Sequence, residues 1–200
     1  MNSHQQVMQL LGCDDLHELL DRKFLAEFGL ELPGQYGMVC KDVKAQIANL
    51  EAAGSRPFLH AMMKMPSWKE YGQPKDAYAD MALGYSNGQQ IELLGEGRNI
   101  DIYKEKIPKD GSIALHHACV FQENIVELER RLNDAGYVTA GSGYIGFSGL
   151  YSTTVRYIDT RESLGIYLEM VEYRMLGRHS PPGEKIITGI AKLQKRFARS

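Results

Sequence analysis

The sequence is poor in the features that mark several common protein classes. Cysteine is scarce, with three in 200 residues at positions 13, 40 and 119, an odd number without CxxC spacing. Cys40 and Cys119 lie in apolar runs, so both read as buried free thiols in a reducing compartment. Net charge is only −2, too little for a nucleic-acid footprint. No apolar run approaches the ~18 residues of a membrane span, and the first residues are polar rather than signal-like. A cytoplasmic protein is expected, with neither nucleic acid nor membrane as partner. The glycine-rich stretch at 141–149 is not read as a phosphate cradle, because no helical pattern follows it. It reads as a flexible lid or a bulged strand.

What the chain does contain is an internal repeat. IALHHACVF is a short apolar run with two histidines, ENIVELERRLNDAG follows with helical spacing, and TVRYIDTRESLGIYLEMVEY reads as two strands about a turn. The same order occurs upstream in QYGMVC, KDVKAQIANLEAAG and YADMALGYSNGQQIELLGE. Gly54 and Gly136 close the two helical patterns 82 positions apart, Gln35 and His116 open the units 81 apart, and Glu92 and Glu169 stand 77 apart, as do Gly88 and Gly165. Unequal loops account for the drift. Each unit is βαβββ-like, so the fold class is α+β. The first module is expected at 34–96 and the second at 113–175, with a polar linker at 97–112.

Two helical arms flank the repeat. In residues 1–33, Leu16, Leu19, Leu20, Phe24, Leu25 and Phe28 recur at helical spacing, with Asp14 or Asp15 as cap and Gly29 as stop. That stripe must cover the body of the protein or a partner subunit, and a homodimer is expected. His17 within it reads as a surface or packing residue. In residues 176–200, Pro181-Pro182-Gly183 breaks the chain before IITGIAKLQKRF, a basic helix with a solvated face. The Met- and aromatic-rich segment at 58–75 is either a loop packing its own apolar residues or a flap lining an apolar pocket. With 141–150 it is expected to close over the cleft.

A duplicated unit puts equivalent residues on equivalent sites about a pseudo-twofold axis. The first strands contribute Gln35 and His116, the last strands Glu92 and Glu169. A glutamate inside IELL or YLEMV is costly if buried alone. Two at matching positions, with an imidazole and an amide oxygen, suit a mixed N/O site for a divalent cation. The alternative is that each glutamate faces solvent on a half-buried strand.

LHHACV at a strand start, a helix ending NDAG and IDTRESLGIYLEMVEY together resemble a module of the vicinal-oxygen-chelate superfamily, the glyoxalase/bleomycin-resistance/dioxygenase group. QYGMVCKDVKAQIANLEAAG and SNGQQIELL resemble its first module, so the likeness spans about residues 34–175. The resemblance implies an α+β fold of two paired βαβββ modules forming a curved, cleft-enclosing mixed β-sheet. In metal-using members the ligands come from the first and last strand of each module, which implies Gln35, Glu92, His116 and Glu169 here. His116 is taken over His117 because the family's ligand is followed two residues later by a small residue, here Ala118, as Gln35 is by Gly37. The set resembles the glyoxalase I-like pattern. It implies one divalent ion (zinc, nickel, cobalt, iron or manganese), a small-molecule substrate, and lyase or isomerase chemistry that moves a proton beside a chelated carbonyl through an enediolate. Glu169 is the implied base, with Glu92 the second candidate. Extradiol dioxygenases open both modules with histidine, and CoA-ester epimerases exchange the first two ligand types. A metal-free sequestering protein of the resistance type is the alternative from another class. Arg156 and Arg174 are the cations that could clamp an anionic substrate.

Overall fold

The computed structural model describes residues 20–147 and 150–198, with Gln5 and Met8. Its elements in chain order are α1 (Arg22–Phe28), β1 (Gln35–Cys40), α2 (Val43–Ala52), β2 (Leu59–Met65), β3 (Lys69–Glu70), β4 (Gln73–Pro74), β5 (Ala77–Ser86), β6 (Gln89–Leu94) and α3 (Asp101–Lys104). The second half runs β7 (Ile113–Phe121), α4 (Ile125–Asp134), β8 (Val138–Phe147), β9 (Tyr151–Asp159), α5 (Arg161–Leu164), β10 (Tyr167–Met175), β11 (Arg178–His179) and α6 (Glu184–Phe197).

Local chemistry sets the element ends. Asp42 caps α2 by accepting from the Ala45 N–H at 3.0 Å, and Asp21 caps α1 by accepting from the Lys23 N–H at 2.8 Å. The helix over Arg22–Phe28 therefore starts after Asp21, whose backbone is extended; Cys13, Asp14, Asp15, Leu16, His17 and Leu19 lie outside the described set. Gly29 ends α1 in the left-handed region at φ 62.

The strands form one mixed sheet in the order β2-β5-β6-β1-β7-β10-β9-β8-β3-β4, with β11 on β10. β1 and β7 run antiparallel at the centre, while β1 pairs parallel with β6 and β7 parallel with β10. The pseudo-twofold axis thus passes between β1 and β7. After β2, the outer strand of the first module, the chain crosses to pair β3 with β8, the outer strand of the second. This strap curls the open sheet into a half-barrel.

Alternation along the strands divides two cores. Tyr36, Met38, Ile91, Leu93, Ala118, Val120, Leu168 and Met170 face the helices on the convex side. Val39, Leu94, Trp68, Tyr103, Tyr157 and Tyr167 pack on the concave side. The stripe of α1 is covered by this chain itself: Phe24, Leu25 and Phe28 are buried, and the rings of Phe24 and Phe28 meet Tyr137 edge-on at 5.7 and 5.9 Å. That removes the reason for assigning this face to a partner subunit.

Two further expectations are corrected and a third is decided between its alternatives. The linker is not merely polar, because Ile100, Ile102 and Tyr103 are buried in the concave core. Residues 58–75 are no free flap. They hold the edge strand β2 and the strap, anchored by Trp68, which is 1% exposed and donates from Nε1 to Glu70 at 3.1 Å. Lys75 ties Glu70 to Asp101 at 2.5 and 2.6 Å. Residues 141–147 belong to β8, whose pairing slips between Thr139 and Gly141, so the bulged strand is the outcome there; 148 and 149 lie outside the described set. No described helix is long and apolar enough to cross a membrane.

Candidate metal centre

The floor of the half-barrel is built from three strands. Glu92 on β6, His117 on β7 and Glu169 on β10 converge, with His117 Nε2 3.2 Å from Glu92 Oε2 and 3.1 Å from Glu169 Oε2. All three are buried, His117 completely. Despite these distances, none of the three facing atoms makes a hydrogen bond of proper geometry. Buried polar atoms are ordinarily paired, so three orphans aimed at one point are the feature that asks for a ligand. One imidazole nitrogen and two carboxylate oxygens within 4.8 Å of one another fit a divalent cation of the zinc, nickel or iron type.

The participating histidine is His117, and His116 is not in the cluster. Gly37 pairs with His117 and Met38 with Leu115, so His116 is the extra residue of a β-bulge. A bulge breaks strict alternation and leaves both imidazoles on the concave side. His116 turns beneath α3, where its Nε2 lies 2.9 Å from the Ile102 carbonyl oxygen and its Nδ1 3.0 Å from His117 Nδ1. A carbonyl only accepts, so His116 Nε2 carries the proton. Burial and the neighbouring His117 hold the His116 pKa down at about 3, so the ring is neutral and its Nδ1 accepts. His117 must then donate from Nδ1, which leaves Nε2 as its variable atom, aimed between the carboxylates. His116 thereby fixes the tautomer and orientation of His117. Gly37 makes room: a Cβ there would stand 1.8 Å from the His117 ring.

Burial alone would lower the His117 pKa, but Glu169 and Glu92 raise it to about 9. Burial, opposed by His117 and reinforced by Glu169, raises Glu92. Burial pushes Glu169 upward too, yet contact with His117 and hydrogen bonds from Tyr157 and Cys119 leave it lowered. The Tyr103 hydroxyl donates to the Tyr157 hydroxyl at 3.1 Å, so a buried pair of phenols backs Glu169.

Gln35, the fourth expected position, lines the same cleft. Its side-chain amide donates to Gln90 Oε1 at 2.9 Å, and Gln90 donates in turn to Tyr85. It stands on the wall with its Nε2 engaged by Gln90. Above the floor the cleft has a volume of about 450 Å³ and is bordered at its mouth by Ile186, Ile187 and Ile190 of α6. That helix therefore contributes cleft wall, where a merely solvated face was expected.

No protein-family model and no curated protein sequence matches the chain. Solved structures do. A methylmalonyl-CoA epimerase in complex with methylmalonyl-CoA and NH4+ superposes with a TM-score of 0.50 at 17% identity, covering 76% of this chain and 99% of that one. A Streptomyces coelicolor methylmalonyl-CoA epimerase variant in complex with 2-nitronate-propionyl-CoA gives 0.52 at 16% identity, again over 76% and 99%. The chain has the vicinal-oxygen-chelate fold. Within that fold, Glu92 and Glu169 occupy the last strands of the two modules as the sequence implied. Gln35 and His117 are the true pair across the repeat, because Glu92 lies beside Gly37 and Glu169 beside Cys119, two residues beyond each. Their spacing of 82 equals that of Gly54 and Gly136, a signal that could have selected His117. Tyr103 and Tyr157 were missed, since a tyrosine in a linker and one in a strand carry no motif.

Proposed function

We propose that the chain is a glyoxalase-type enzyme dependent on one divalent metal ion, which moves a proton at a carbon next to a carbonyl. The observation that supports this reading is the set of three buried, unpaired atoms on Glu92, His117 and Glu169, which would hold the ion. When bound, the ion would supply Lewis acidity to a substrate carbonyl oxygen and so acidify the adjacent carbon. His117 offers Nε2, kept in that tautomer by His116. Glu169, lowered by His117 and Tyr157, is suited to stay ionised and hold a cation. Glu92, raised by burial and by Glu169, is the carboxylate more ready to receive a proton, so it takes the role of base that the resemblance gave to Glu169. The epimerase likeness, at 16–17% identity, carries no substrate across.

Elemental analysis of the purified protein, paired with deuterium exchange at the carbon beside a ketone carbonyl, tests the reading. Stoichiometric metal with exchange that falls ~10²–10⁴-fold in Glu92→Gln is expected. Protein that takes up no divalent metal would sink it. A second reading, a metal-free sequestering protein, is favoured by the methionine-lined cleft and would gain from apolar ligands binding equally well without metal.

A further inference from the structure

We infer that the cleft is shaped for an uncharged ligand with a long apolar body and a chelating oxygen head, and against polyanionic carriers such as coenzyme A or glutathione. The inference rests on the proposed function for the head only. The two carboxyls lie at the floor with Tyr103 and Tyr157, and the other polar lining residues, such as Gln35, Thr153 and Tyr173, are uncharged. The walls rise through Met63, Met65, Met81, Ile145 and Val155, flexible and branched apolar side chains that fit an irregular body. Among the described residues no lysine or arginine lines the cleft, its only histidine is His117 beneath the floor, and its only ionisable carboxyls are Glu92 and Glu169. The two arginines that could have clamped an anion are held elsewhere: Arg156 pairs with Glu129 at 2.5 Å, and Arg174 pairs with Glu172. A phosphate or peptide carboxylate on the walls or at the mouth, away from the floor, would lose water and meet no cation.

The mouth continues the pattern outside the repeat. Helix α6 lays Ile186 and Ile190 along the rim, 56% and 47% exposed, opposite Met175 at 50%. The helix is docked, since Gln194 bonds both the N–H and the carbonyl of His60 at 3.1 and 2.6 Å. Arg56 meets Glu184 at 3.2 Å, and Lys195 meets Glu51. It extends an apolar track from the floor to the surface, as a head-in, tail-out ligand requires.

Calorimetric titration of the nickel-loaded protein with acetohydroxamic, hexanohydroxamic and decanohydroxamic acids tests this, because the chelating head stays constant while the tail grows. Affinity should rise roughly fourfold for each methylene buried, the equivalent of about 0.8 kcal/mol. Acetyl-coenzyme A and S-decylglutathione should bind far more weakly than decanohydroxamic acid. Ile190→Lys, at a half-exposed rim position, should remove most of the gain for the longest tail and leave acetohydroxamic acid unchanged. In parallel, hexan-1-ol and decan-1-ol are titrated into the metal-free protein. Tail dependence in the alcohols without any nickel uptake would refute the metal reading and keep this one. A flat response to tail length in both series, or acetyl-coenzyme A binding as tightly as decanohydroxamic acid, would overturn the inference.

Discussion

Exchanging the two adjacent histidines one at a time discriminates ligand from support. At a metal concentration a hundred times Kd, a cation that binds only the folded state stabilises it by about 2.7 kcal/mol. For a chain of this size that corresponds to a Tm rise of roughly 5–10 °C, at about 2–4 °C per kcal/mol. His117→Gln removes the imidazole between Glu92 and Glu169, at 3.2 and 3.1 Å. Without metal it also leaves two buried carboxylates facing each other, a loss on the order of 3–5 kcal/mol. The readout is therefore the metal-induced increment, not Tm itself, and in His117→Gln that increment should vanish. His116→Gln keeps a donor for the Ile102 carbonyl but loses the fixed acceptor of His117 Nδ1. Disturbing such a supporting bond typically weakens metal affinity ~10–100-fold, so the full increment should return once nickel is raised by that factor. Scanning calorimetry with competitive chelator titration measures both. A full increment in His117→Gln, with none in His116→Gln at any nickel concentration, would refute the bulge argument.

Three other outcomes follow from the same site. His117 has its pKa raised to about 9 in the metal-free state by Glu169 and Glu92. Its charge therefore contributes stability fully present below an unfolded pKa near 6.5 and lost as pH rises through 9. Urea melts between pH 7 and pH 10 should show that loss in metal-free protein alone, and nickel affinity should climb about tenfold per pH unit from pH 7 to 8 as uptake displaces the Nε2 proton. Gly37→Ala forces a Cβ onto the His117 ring; overpacking costs roughly 1–3 kcal/mol, and nickel uptake, followed by elemental analysis, should drop with it. Glu169→Gln should weaken nickel binding more than Glu92→Gln does, whereas proton exchange in the nickel-saturated proteins should suffer more from Glu92→Gln; the reverse ranking returns the base to Glu169.

Much of this architecture was legible because a repeat leaves two records of each element. Gly54 and Gly136 end helices, Asp42 caps one, and Glu92 and Glu169 sit in otherwise apolar strands, so modules and carboxylates could be placed from local patterns alone. What failed were features that depend on pairing between distant strands. The bulge exists only in the register of β7 against β1; in the sequence, HHA reads as ordinary alternation and either histidine can be drawn on the cleft face. Tyr103 and α6 reach the cleft because chain outside the modules folds back onto the sheet, and amphipathic spacing says that a face is buried without saying against what.

The bulge also explains how a duplicated fold acquires an unsymmetrical centre. Strict pseudo-twofold symmetry would present Gln35 and His117 to the cation as equals beside Glu92 and Glu169. On β1, the Gln35 amide nitrogen is engaged by Gln90, which bonds Tyr85 in turn, and Gly37 contributes space. On β7, the inserted His116 pushes His117 into that space and then fixes its tautomer through the Ile102 carbonyl. The first module thus yields room and one carboxylate, the second an imidazole and the other carboxylate. Two carboxylates in unlike surroundings take unlike proton affinities, Glu92 raised and Glu169 lowered. The proposed function, in which one site holds a cation and carries a proton, rests on that division.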